Sequence, residues 1–241
     1  MRNISSALQE HYKVVKEQFP ETTVLGVFLY GSQNYNIATE DSDVDTVAIV
    51  IPTFKELVLN SPVSKEIHFE NGEHCVVKDI REVVKQWKKQ SLNYLEILFT
   101  DYYFVDPLWE KDWNCFVEIR EDIASINKNL TIKSIAGQAK HTFIQNRFDK
   151  KKQANALRMY YFLKAFLYYN KSYKECLTTS CEKVLTVKTG KEPFPFSSGI
   201  EFFNELEDIV NKTYGSFPIN EETEKTLDMY LTMFVWRTII Y

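Results

Sequence analysis

Apolar and polar positions alternate along this chain with two different periods. Leu8, Tyr12, Val15 and Phe19 recur at helical spacing and predict a helix over residues 4–19, closed by Pro20. "TVLGVFLY" (23–30) is rich in β-branched and aromatic residues and predicts a strand. Gly31-Ser32 turns the chain, a polar segment follows, and "VDTVAIVI" (44–51) predicts a second strand, apolar on both faces. "EIHFENGEHCVVKDI" then predicts a hairpin, with Asn71-Gly72 supplying the two positive-φ residues of a type I′ turn. Val84, Trp87, Leu92, Leu95 and Leu98 mark a helix from Arg81 to about Phe99, and "DYYFVDP" a short strand before Pro107. Beyond residue 112 the periodicities are mainly helical, including 155–170 and 221–241. The expected architecture is α+β: a mixed sheet with helices over residues 1–106, then a helical unit over 107–241.

Composition narrows the class. Hydrophobic residues make up 44% and charged residues 26%, which is ordinary globular usage with ample material for a core. A formal net charge of -4 argues against a protein that coats nucleic acid, though not against a local basic groove. The four cysteines lack C-x-x-C spacing and read as reduced thiols. Four histidines without an H-x-x-x-H pair disfavour zinc. The first residues lack a signal peptide's apolar core, and no apolar run reaches the ~20 residues of a membrane span, so a cytoplasmic location is expected.

The candidate chemistry lies in "FLYGSQNYNIATEDSDVDTVAIV" (28–50). In a strand, residues i and i+2 share a face, so Asp43 and Asp45 point together at the mouth of an apolar strand. Two carboxylates held so close are costly unless a cation neutralises them, and oxygen ligands suit Mg²⁺. Upstream, the N–H groups of Gly31 and Ser32 and the Ser32 hydroxyl can hold a phosphate. A lone D-x-D or Gly-Ser is common; the combination of strand, Gly-Ser, ten residues, Asp-Val-Asp and strand is not.

That combination resembles the signature of the polymerase-β-like nucleotidyltransferase superfamily. "KDIREVVKQWKKQSLNYLEILFT" (78–100) and "FDKKKQANALR" (148–158) are similar, more narrowly, to the predicted nucleotidyltransferases of bacteria and their phages. The resemblance covers roughly residues 24–190. It implies a Mg²⁺-dependent transfer of a nucleoside monophosphate from a nucleoside triphosphate to a hydroxyl acceptor, with release of pyrophosphate. Asp43 and Asp45 would hold two Mg²⁺ ions, with Mn²⁺ as a substitute, and the phosphates would lie against Gly31 and Ser32. Such chemistry needs positioning and charge neutralisation more than a protein nucleophile.

The superfamily adds a third carboxylate from a neighbouring strand. Asp79 is the candidate, and Glu73 the alternative. Asp79 with Glu82 also fits a capping box for the helix that follows, which alone would explain an aspartate there. In "KKKQANALR", Lys151, Asn155 and Arg158 fall at i, i+4 and i+7 on one helix face, and the resemblance turns that face toward the triphosphate. Asn155 stands where the family usually has histidine, which removes proton transfer at that position but not hydrogen bonding. His141 is a further candidate for the same cleft, and the aromatics of residues 160–169 read as core rather than a stacking platform.

Two rivals remain. D-x-D also occurs in glycosyltransferases that bind sugar nucleotides, and a catalytically silent nucleotide sensor or partner protein would keep the same fold. The acceptor is open between an RNA end, a protein side chain and a small hydroxylated molecule.

Overall fold

A computed structural model describes residues 3–40, 42–145, 148–169 and 171–240. The elements in chain order are α1 (Ile4–Gln18), β1 (Thr23–Tyr30), β2 (Asp45–Ile51), α2 (Phe54–Val58), β3 (Ser64–His68), β4 (His74–Asp79), α3 (Ile80–Lys88) and α4 (Leu92–Leu95). A 3-10 turn (Glu96–Leu98) leads to β5 (Tyr103–Val105), α5 (Glu110–Glu118), α6 (Arg120–Ala124), α7 (Lys128–Gln145) and α8 (Lys150–Tyr168). The chain continues through α9 (Tyr173–Leu177), α10 (Cys181–Lys188), α11 (Gly199–Thr213) and α12 (Glu221–Ile240). Asn170 and Tyr241, the last residues of two expected helices, lie outside the described residues.

The fold is α+β, built on a five-stranded mixed sheet of order β3-β4-β2-β1-β5. β2 pairs antiparallel with β1 and parallel with β4, while β3 and β5 form antiparallel edges. Both central strands are buried on both faces, as their continuous apolar runs require. Behind the sheet, Val24, Val27, Ala48, Val50 and Val77 pack on Leu8 and Val15 of α1. In front, Leu25, Phe28, Val47 and Ile49 join a larger cluster that runs through Trp87, Trp113 and Phe116 to Leu157, Phe202 and Phe234. That cluster crosses position 106 without a break, because α3 from the first half packs on α12 from the last.

A register shift between Val24 and Gly26 lets Val24 and Val27 point back and Leu25 and Phe28 point forward. Gly26 sits in that bulge, where a Cβ would come within 2.6 Å of the Phe104 carbonyl oxygen. β5 can close on β1 only because no side chain stands there.

Two local expectations change. The helix foreseen over 81–99 is interrupted at Gln90, which takes φ 56° and ends α3. Its buried side-chain amide donates to the Trp87 and Ile123 carbonyls and accepts from Thr131, so tertiary hydrogen bonds outweigh helical periodicity. The β3–β4 connection is longer than a two-residue turn. His68 pairs with His74, Gly72 N–H donates to Phe69 O, and only Gly72 has positive φ (87°). The Asn71 side chain accepts from Glu73 N–H instead.

Candidate active site

β2 alternates its side chains between the two faces of the sheet. Val47 and Ile49 point forward with Asp45, while Thr46 points back to α1, where its hydroxyl meets His11 Nδ1 at 2.8 Å. Asp45 therefore opens onto the face covered by the helical half, at the end of the strand where the chain arrives from the Gly31-Ser32 turn. Asp43 precedes the strand, in an exposed position, and faces the same space. A cleft of about 230 Å³ lies there, lined by Gly31, Ser32, Tyr35, Asp43 and Asp45 from the sheet side and by Lys151, Asn155, Arg158 and Lys188 from α8 and α10. Seven of the eight expected site residues thus meet in one place.

Gly31 has φ +91°, a left-handed value that favours glycine. A Cβ there would lie 3.4 Å from Asp45 Oδ2, so the bare turn also lets the carboxylate sit close. The turn is laced by Asn34 N–H to Gly31 O and Ile37 N–H to Ser32 O. Its inner side differs from expectation: Gly31 N–H donates to Glu96 Oε1 at 3.2 Å and faces the protein interior. Ser32 is left as the polar group of the pair that lines the cleft.

Asp79 is not part of this constellation. In the β2–β4 register Asp45 lies beside His74 and Val50 beside Asp79, so Asp79 is five residues away along the strand, roughly 16 Å. It caps α3 by accepting from Arg81 N–H and is gripped by the Arg81 guanidinium through both carboxylate oxygens. Asp79 caps the helix, as one reading expected, but Glu82 pairs with Lys85 in place of the capping-box contact. Glu73 faces the back of the sheet, 3.1 Å from His11 Nε2. Asp79→Asn keeps an oxygen for the cap but loses the charge pair. It is expected to lower stability by about 1–2 kcal/mol in urea unfolding while leaving ligand binding in the cleft unchanged. A variant that folds normally but fails to bind would restore Asp79 to the site.

The residue of β4 level with Asp45 is His74. Its Nδ1 lies 2.7 Å from Asp45 Oδ1, and its Nε2 lies 2.7 Å from the Tyr30 hydroxyl. The His74–Asp45 contact has the distance of a hydrogen bond but not its direction, and Oδ1 is buried without another partner. We read it as an electrostatic pairing. Burial raises the Asp45 pKa above the ordinary carboxylate value and Asp43 adds to the rise, while His74 and Lys151 oppose it. Among the described residues no group of three or more His, Cys, Asp or Glu side chains is placed to hold a metal ion.

The cationic wall comes from two helices. Asp149 starts α8 by accepting from the N–H groups of Lys151 and Lys152, which sets Lys151, Asn155 and Arg158 facing the sheet. Arg158 is only 3% exposed and lies over the Tyr35 ring, its guanidinium carbon 3.6 Å from the ring centroid. Asn155 Oδ1 accepts from its Nε and Nη2, while Nη1 is buried without a partner. Lys188 reaches across from α10 to donate to the Ile37 carbonyl at 2.7 Å. Burial lowers its pKa, as does Lys151, against the pull of Asp43. His141 is exposed on α7 and does not line the cleft. Tyr160 and Phe162 are core residues, as their spacing suggested, whereas Tyr168 and Tyr169, at the end of the helix, are exposed.

Sequence reasoning missed Lys188, Tyr35, His74 and Glu96. Lys188 and Glu96 carried no local signal. His74 could have been found by setting the apolar runs of β2 and β4 in parallel register, which brings it beside Asp45.

No protein-family model matches the chain, and no curated protein matches it. Among solved structures, the chain is similar to a nucleotidyltransferase-like protein from Exiguobacterium sibiricum 255-15. The likeness has 9% sequence identity and a TM-score of 0.34, and covers 88% of this chain and 76% of that one. At that distance it carries no weight for activity, which rests on the cleft alone.

Proposed function

We propose that this chain is a nucleotidyltransferase, moving a nucleoside monophosphate from a nucleoside triphosphate to a hydroxyl acceptor. The observation that carries the reading is the meeting, in one cleft, of Ser32, Asp43 and Asp45 with Lys151, Arg158 and Lys188, drawn from segments more than 100 residues apart. Acidic and basic walls facing each other suit a polyanion that arrives with a cation. At about 230 Å³ the cleft is below the ~300–1,000 Å³ of pockets that enclose a whole ligand, so it takes the phosphate chain and leaves sugar and base outward.

In this scheme Ser32 holds a phosphate oxygen at the sheet side, and Lys151, Arg158 and Lys188 neutralise the chain from the helices. The acceptor oxygen bonds to the α-phosphorus as the bond to the bridging oxygen breaks. The hydroxyl proton passes to Asp45 or water, and pyrophosphate leaves with the electron pair. Asp43 and Asp45 are hard oxygen donors that would hold Mg²⁺ or Mn²⁺, and His74, not a third carboxylate, stands beside Asp45. Such an ion, when bound, polarises phosphoryl oxygens and lowers the pKa of the attacking hydroxyl.

One observation favours a second reading. An imidazole, not a third carboxylate, meets Asp45 on the adjacent strand, which would suit a protein that binds a nucleotide and does not turn it over. Each α-labelled nucleoside triphosphate with Mg²⁺, offered total RNA, cell protein and a small-molecule extract separately, distinguishes them. Transfer of label with stoichiometric pyrophosphate is the expected result and names the acceptor class. Nucleotide binding without transfer to any fraction would favour the sensor, and release of nucleoside diphosphate from an added sugar nucleotide, with no pyrophosphate from the triphosphates, would point to sugar transfer.

A further inference from the structure

Beneath the Gly31 turn lies a carboxylate that the proposed reaction does not use. Glu96 opens the 3-10 turn after α4 and is wholly buried. In its sequence context, "LNYLEILFT", Leu92, Leu95, Ile97, Leu98 and Phe99 are all buried. An ionisable side chain among them is costly, and a core needs none. Oε1 accepts from Gly31 N–H at 3.2 Å, the Tyr35 hydroxyl also favours the charged carboxylate, and Oε2 is buried without a hydrogen bond of ordinary geometry. Arg158, on the Tyr35 ring, is the cation that favours its charge, and Asp45 opposes it.

The unsatisfied groups gather here. The five buried side-chain polar atoms without a hydrogen bond, among the described residues, are Gln33 Oε1, Asp45 Oδ1, Glu96 Oε2, Arg158 Nη1 and Tyr173 OH. Gln33 belongs to the turn after Ser32, and Tyr173 interacts electrostatically with both Glu96 and Arg158. Buried groups left unpaired are rare in a core and cluster where a ligand or a mechanism needs them.

We infer that Glu96 is a positioning residue for the phosphates: its carboxylate carries the Gly31-Ser32 turn from below, beside the buried guanidinium of Arg158, and so sets the two walls of the cleft relative to each other. The inference rests on the nucleotidyltransferase reading of the same cleft. Its physical basis is leverage. Tyr30, the residue before the Gly31 turn, is the β1 partner of Asp45, so a displacement of the turn moves Ser32 and the start of β2 together, away from Lys151 and Arg158. Misplacement of about 1 Å is enough to cost a large factor in an oriented reaction.

The test measures the affinity of a fluorescent methylanthraniloyl-ATP with Mg²⁺, and the nucleotide KM and kcat of transfer. It compares wild type, Glu96→Ala and Glu96→Gln, with thermal unfolding of each recorded in parallel. Glu96→Ala removes the acceptor for Gly31 N–H, and is expected to weaken binding by at least about tenfold and to lower kcat as well. Glu96→Gln keeps a carbonyl oxygen in the same place and is expected to stay within about threefold of wild type. A role in packing alone would move the unfolding midpoint and leave affinity untouched. Wild-type affinity in a folded Glu96→Ala, or a Glu96→Gln as weak as Glu96→Ala, would overturn the inference. A wild-type protein that binds no nucleotide would overturn the nucleotidyltransferase reading itself, and this inference with it.

Discussion

Asp45→Asn is expected to abolish transfer, lowering its rate by roughly 1,000-fold or more, without lowering the stability of the fold. The two halves of that expectation have one cause. Asp45 sits on a buried strand, its side chain 24% exposed, where desolvation opposes the charge more strongly than His74 and Lys151 support it. The negative charge of Asp43 adds to the strain. A neutral amide of the same shape removes that conflict but cannot offer a hard anionic donor to a cation on the phosphates. With both halves met, function and stability would pull apart at this residue, as at a working site and not at a structural ion pair. Label transfer and urea unfolding on the same preparations check both halves. Transfer within tenfold of wild type would place the chemistry elsewhere. A large loss of stability would make the Asp45–His74 contact a structural clamp.

The same contrast shows what could be read from sequence. Gly31, Ser32, Asp43 and Asp45 were legible because their signal is local: a strand, a left-handed glycine, and a strand alternation that throws one carboxylate forward. Lys151, Asn155 and Arg158 were legible as one helix face, although Arg158 proves buried on Tyr35 rather than solvated. Asp79 was ambiguous because a helix cap and a third metal ligand use the same residue type at the same strand end. Strand register decides between them, and register is a property of the sheet.

The residues that escaped are those whose meaning is tertiary. Lys188 lies 151 positions from the carbonyl it holds. Gln90 reads as a polar helix position until the Ile123 carbonyl arrives to bind it. Glu96, in an amphipathic pattern, reads as one exposed charge among leucines and is instead the most deeply placed carboxylate beside the cleft.

That burial gives the second large effect, in the pH dependence of stability. Desolvation pushes Glu96 from an ordinary 4.5 up to about 7, against Arg158, the Tyr35 hydroxyl and the Gly31 amide, which favour its charged form, and with Asp45, which opposes it. The folded protein thus holds a proton on this group that the unfolded chain has already released between pH 4.5 and 7. Stability from this residue is fully present below about 4.5 and is lost as pH rises through about 7, by about 3 kcal/mol in all. Glu96→Gln has no proton to lose. Wild type is therefore expected to fall by about 2–3 kcal/mol relative to Glu96→Gln between pH 5 and pH 8, with little further change above that range. Urea unfolding of both proteins at the two pH values measures it. A difference that does not move with pH would mean that Arg158 holds Glu96 charged throughout. The carboxylate would then be one half of a buried ion pair, and the Gly31 turn would rest on a fixed charge.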